Sequence, residues 1–142
     1  YTPLSADGFV LLIPLNHRLA KGKTPLNWLQ VAELTHISMP LPASVRQYAN
    51  AAFIEQRIAF QPRYEVEHIA TIHAMVKAGL GVAALPELAA AFVQQAGVVT
   101  RRLTGPDIQR PLGVVTRRNR SLSPAAQEMV RMLRQETTAL LP

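Results

Sequence analysis

Apolar residues in this chain come in short runs separated by polar turns, and their spacing predicts strands and helices in alternation. Residues 9–13 (FVLLI) form a continuous apolar run stopped by Pro14, the pattern of a central strand buried on both faces. Residues 16–23 read as a polar turn, after which Thr24 and Pro25 predict a capped start for a short helix through Leu34. Residues 36–39 predict a short strand stopped by Pro40 and Pro42, and Ser44 the N-cap of a helix to about Arg57. On that helix Val45, Ala49, Ala52 and Phe53 form one apolar stripe, while Tyr48, Ala51, Ile54 and Ile58 lie largely on another. One stripe is expected to meet the core and the other a partner.

Residues 63–67 alternate like a strand, and Ile69, Ile72 and Val76 mark a helix ending at Gly79, where a left-handed cap suits glycine. Residues 82–85 predict another strand, and Pro86 opens a helix that residues 89–92 carry toward a stop near Gly97. Strands are expected at 98–103 and, buried, at 111–116. Ser123 and Pro124 open a closing helix with Ala126, Met129, Val130 and Leu133 on its buried face. Strands and helices alternating from end to end define an α/β fold with helices packed on sheet faces.

Composition narrows the class. With 142 residues, 49% of them hydrophobic and 17% charged, the chain has enough apolar surface for one ordinary domain or two small lobes, and disorder is excluded. It has no cysteine, so disulfides, thiolate metal sites and thiol nucleophiles are excluded, and a cytoplasmic location is expected. The longest apolar stretches fall well short of a membrane span. The start, Tyr1-Thr2-Pro3-Leu4-Ser5, reads as a cut within a longer polypeptide. Net charge is +6, with Arg101, Arg102, Arg110, Arg117, Arg118 and Arg120 close together. The plain reading is that these keep strand ends soluble, since no aromatic residue or helix-turn-helix pattern accompanies them.

Little points to catalysis. His68 and His73 stand about 140° apart around one helix and cannot share an ion, and His17 and His36 are isolated, so no metal site is expected. Gly79-Leu80-Gly81 lies in the order helix, glycines, strand, the reverse of a dinucleotide loop, and no cofactor is expected. No nucleophile elbow is present, and no enzyme activity is expected. Two strand-to-helix turns are more suggestive: residues 38–46, holding Ser38, Ser44 and Arg46, and residues 65–71, holding His68. Ligands of open α/β sheets sit at the carboxyl ends of strands, where helix N-termini present free N–H groups to an anion. Arg46 could add a bidentate contact; the alternative is a simple cap at Ser44 and a solvated Arg46.

The order of segments resembles the effector domain of LysR-type bacterial transcription regulators. Residues 9–20 (FVLLIPLNHRLA) look like that family's strand, proline and His-x-Leu-Ala turn. Residues 75–86 (MVKAGLGVAALP) follow its Ala-Gly-Leu-Gly-Val pattern closely, and residues 110–115 and 117–126 fit its last strand and closing helix. The resemblance implies a two-lobed fold similar to periplasmic solute-binding proteins, entered partway through the first lobe. It assigns residues 1–13 to a hinge and first-lobe strand, 14–102 to the second lobe, and 103–142 to the return into the first. A small, anionic effector would bind between lobes against Ser38, Ser44, Arg46, His68 and Ile69. Tyr48, Ile54 and Ile58 would face a second copy in a homodimer or homotetramer, and DNA would be met only through an N-terminal winged helix-turn-helix outside this chain. The alternatives are a solute-binding or transporter component of the same architecture, or an enzyme on that scaffold.

Overall fold

The computed structural model describes residues 1–93 and 96–140, the side chains of 138–140 excepted. In chain order the elements are β1 (Thr2–Asp7), β2 (Phe9–Pro14), a 3-10 turn (Arg18–Ala20), β3 (Leu26–Asn27), α1 (Trp28–Val31), β4 (Ile37–Ser38) and α2 (Ser44–Glu55). There follow β5 (Tyr64–Glu65), α3 (Ile69–Lys77), β6 (Ala83–Pro86), α4 (Glu87–Phe92), β7 (Val98–Thr104), β8 (Arg110–Val114) and α5 (Pro124–Leu140). The chain forms two compact units, a larger one, Gly8–Ile108, and a smaller one, Tyr1–Asp7 with Gln109–Pro142.

In the larger unit β2 pairs antiparallel with β6 on one side and β7 on the other and, with α3 and α4 packed against it, is buried at every residue. β3 joins β7 in parallel, giving the order β3-β7-β2-β6. Beyond β6, a parallel bridge between His36 and Val82 brings up β4, which pairs in parallel with β5. The division drawn from the sequence set residues 9–13 with the first lobe and its other boundary after 102. The ladders of β2 place residues 9–13 in the larger unit, and β7 continues there to Thr104.

Helices cover this sheet through an aromatic cluster. The Trp28 ring lies 5.8 Å from Phe9 and 5.2 Å from Phe53, and Phe53 stacks on Phe60 at 4.5 Å. Trp28 satisfies its buried indole by donating Nε1–H to the Pro106 carbonyl at 3.0 Å. Val45, Ala49, Ala52 and Phe53 turn inward from α2 as their spacing predicts. The chain leaves α3 through two bonds of a Schellman cap, Gly79 N–H to the Val76 carbonyl (2.9 Å) and Leu80 N–H to that of Met75 (3.1 Å), with Gly79 at φ +80°. Two residues on, Gly81 lies so close to the Thr35 carbonyl oxygen that a Cβ would overlap it.

Several expectations give way. The helix expected from Thr24 is only α1, because Asn27 and Gln30 form a reciprocal capping box and start it three residues later. Ser44 is the first residue of α2, and the N-cap is Ala43, which has no side chain to cap with. Pro86 ends β6 and is the N-cap of α4. Residues 94 and 95 lie outside the described residues, so the path from α4 to the expected stop is not followed.

In the smaller unit β1 pairs antiparallel with β8, and α5 packs on β1. Residues 2–7, expected only as part of a hinge and first-lobe strand over 1–13, form β1. The strand expected to be buried at 111–116 is half-buried at alternate positions, and among the described residues β1 is the strand it pairs with. Asp7 is wholly buried and pairs with Arg110, Oδ2 to Nη2, at 3.0 Å. Met129 and Leu133, expected to be buried, are exposed on α5.

Candidate functional site

β4 and β5 run side by side in parallel, with Ser38 opposite Glu65, and each delivers the chain to a helix: β4 to α2, β5 to α3. A bond from Val66 N–H to the Ser38 carbonyl (3.0 Å) holds the two exits together. Neither helix has a side-chain cap: Ala43 precedes α2 and His68 precedes α3, both in extended conformation. The first-turn amides of two helices, of twelve and nine residues, therefore start beside adjacent strand ends with no side chain closing them.

Ser38 is buried at the end of β4, Ser44 is exposed at the start of α2, His68 is exposed, and Ile69 is half-buried at the start of α3. Arg46 is 4% exposed. Its Nη1 donates to Glu65 Oε1 (2.7 Å) and to the Met39 carbonyl (3.1 Å), its Nε donates to Asn50 Oδ1 (2.9 Å), and its guanidinium lies over Phe60. These partners all come from its own chain, so Arg46 ties α2 to the ends of β4 and β5. Glu65, whose side chain is 48% exposed, is one acidic group of this surface, and the exposed Glu67 follows it in the same turn. Sequence reasoning passed over Glu65 and Asn50. The spacing of Arg46 and Asn50 on a helix could have suggested their pairing, whereas Arg46 and Glu65 meet only once β5 is in register with β4. Ser44, His68 and Ile69 stand at the two helix starts, Ser44 and Ile69 as first residues and His68 as the residue before α3.

Of the residues proposed for a partner, Ile54 on α2 is 66% exposed, Tyr48 on α2 is half-buried against the core, and Ile58 lies beyond the end of α2 at Glu55, half-buried against the core as well. His36 stands behind the site, edge-on to Phe53 and Phe60, with Nε2 donating to the Val31 carbonyl at 2.7 Å. Burial pushes its pKa below the usual histidine value, and the Val31 bond opposes this only in part. A cavity of about 320 Å³ lies elsewhere on the larger unit, lined by Pro14, His17, Glu33 and the Gly79–Val82 turn; none of the expected effector residues lines it. Among the described residues no cluster of three histidines or carboxylates gathers that could hold a metal, and no helix is long and apolar enough to cross a membrane.

The chain matches the family described as LysR substrate binding domain over residues 1–138. It is 34% identical over 138 residues to the uncharacterized HTH-type transcriptional regulator YbhD of Escherichia coli (strain K12), a match that covers 94% of this chain and 42% of that protein. The chain thus spans less than half the length of that curated relative. Among solved structures, Corynebacterium glutamicum OxyR (C206 mutant) superposes with a TM-score of 0.80 at 20% identity, over 98% of this chain and 45% of that one. The regulatory domain of Synechocystis PCC6803 CcmR in complex with 2-PG gives 0.79 at 18% identity, over 95% and 65%. The effector binding domain of QuiR in complex with shikimate gives 0.77 at 20%, over 97% and 65%. These structures show the class of fold: α/β, like that of periplasmic binding proteins. The chain belongs to the LysR substrate-binding-domain family.

Proposed function

We propose that this chain is the effector-sensing part of a LysR-type transcription regulator acting in the cytoplasm. The family match over residues 1–138 carries the reading, and the absence of a nucleophile elbow from the sequence fits sensing without catalysis. The effector is a small anion, received at the uncapped starts of α2 and α3 by Ser44, His68 and Ile69 and the Ser38 hydroxyl. The two neighbours solved with shikimate and 2-PG supply its first candidates by chemistry. Arg46 contributes by fixing the wall on which the effector rests. Binding favours one arrangement of the regulator over another, and so alters its DNA binding and transcription through a winged helix-turn-helix outside this chain. The exposed Ile54 edge of α2, flanked by Tyr48 and Ile58, faces a second copy.

The test is calorimetric titration of the full-length regulator with shikimate and with 2-PG, followed by operator footprinting with each. Binding that Ser44→Ala and His68→Ala weaken, with a changed footprint, is the expected result. Saturable binding of either probe that leaves the footprint unchanged refutes the proposed population shift.

A further inference from the structure

The arginines that cluster in the sequence have different roles in the structure. Arg101 is buried and bonded to the carbonyls of Leu19 and Thr24, and Arg110 is committed to buried Asp7. On α5, Arg131 pairs with Glu128. Arg117, Arg118 and Arg120 are left exposed, and no hydrogen bond or ion pair engages them among the described residues. They lie on the turn between β8 and α5, where residues Val115–Arg117 and Arg120–Ser123 line a concavity of about 420 Å³. Its polar groups are the guanidiniums of Arg117 and Arg120 and the hydroxyls of Thr116, Ser121 and Ser123; no carboxylate lines it. Ser123 Oγ accepts from Ala126 N–H (3.3 Å), which leaves its hydroxyl proton to donate outward.

We propose that this concavity is a contact site for the phosphate backbone of duplex DNA, used by the sensing domain itself. Guanidiniums and hydroxyls converging without an acid are the donor set that phosphate oxygens require. No aromatic side chain lines the concavity to stack on bases, so the contact is sequence-independent and electrostatic. Duplex DNA is favoured over a free phosphorylated metabolite because the arginines are solvated and spread along a turn. A single phosphate gains little from such groups, whereas a polyanion gains counterion release at each one. This inference goes beyond effector sensing: it involves the smaller unit, and it stands or falls separately from the α2 and α3 site.

The experiment measures anisotropy of a fluorescein-labelled duplex of arbitrary sequence with the 142-residue chain, across about 50 to 200 mM salt. An Arg117→Gln/Arg120→Gln variant is expected to reduce the slope of log K against log salt by about 1.8, or about 0.9 for each phosphate no longer neutralised. Arg18→Gln/Lys21→Gln, with the same change in net charge, is expected to leave the slope where it was. Calorimetry with pyrophosphate is expected to show no saturable binding. Unchanged DNA binding in the first variant, equal losses in both, or saturable pyrophosphate binding without DNA binding each overturns the proposal. Effector titrations of the full-length regulator are unmoved by the Arg117/Arg120 change.

Discussion

Replacing Arg46 with methionine separates two roles that the sequence alone left open. The side chain is buried and donates to a main-chain carbonyl, an amide oxygen and a carboxylate. Hydrogen bonds from a charged donor are worth about 1.5–3 kcal/mol where the acceptor is stranded by their loss. The Met39 carbonyl and Asn50 are the groups at risk; Glu65 is half-exposed and regains water, so its share falls to about 0–1 kcal/mol. Methionine preserves most of the volume beside Phe60 and offsets part of the loss. The expected net destabilisation is about 2 kcal/mol, a fall of about 1 M in the urea midpoint for a slope of about 2 kcal/mol/M. Far-UV circular dichroism reads it directly. Glu65→Gln is expected to lose less than about 1 kcal/mol. An Arg46→Met protein with an unmoved midpoint and no effector affinity would show that Arg46 is a ligand contact and not the tie between α2 and the strand ends.

Other outcomes follow from the same geometry. Gly81→Ala is expected to cost about 2 kcal/mol or more because its methyl overlaps the Thr35 carbonyl, whereas Gly79→Ala meets open space and loses about 1 kcal/mol to its positive φ; paired urea melts compare them. His36 binds a proton more readily unfolded than folded, so stability is expected to be full above about pH 6.5 and to fall below it by up to about 1.4 kcal/mol per pH unit. A His36→Gln chain that keeps the same acid slope would assign it elsewhere. If α2 faces a second copy as proposed, Tyr48→Glu/Ile54→Glu is expected to lower the mass of the full-length regulator in light scattering, and an unchanged mass would remove α2 from the interface.

The central strand was legible because residues 9–13 have no polar position to offer solvent, and only a strand covered on both faces of its sheet accommodates that. The turn at 79–81 was equally plain, since its glycines serve a left-handed cap and a close backbone approach. Helix starts were less legible. Thr24-Pro25 is a sound local signal, but Asn27 and Gln30 offer two reciprocal bonds where Thr24 offers one. At the site, the helix starts were found because strand-to-helix order predicts them, and the family resemblance agreed. The role of Arg46 was hidden because burial depends on β5, nineteen residues downstream in the hydrogen bond to Glu65. The exposed apolar face of α5 was hidden for a related reason: periodicity identifies the face that seeks cover and says nothing of what covers it.

The Arg101 clamp bears on how this surface can drift over generations. Three of its four bonds to the 19–24 segment end on main-chain carbonyl oxygens, the fourth on the Thr24 hydroxyl. A grip on backbone is indifferent to the side chains that the backbone carries. Lys21 and Lys23 can therefore be exchanged freely by mutation while the segment keeps its course. Gly22 is the exception, held by its φ of +136° and by the guanidinium 3.4 Å from where a Cβ would stand. Related chains that retain an arginine at position 101 should vary at 21 and 23 while keeping that glycine, and should keep apolar residues at 19 and 20, which pack against the core.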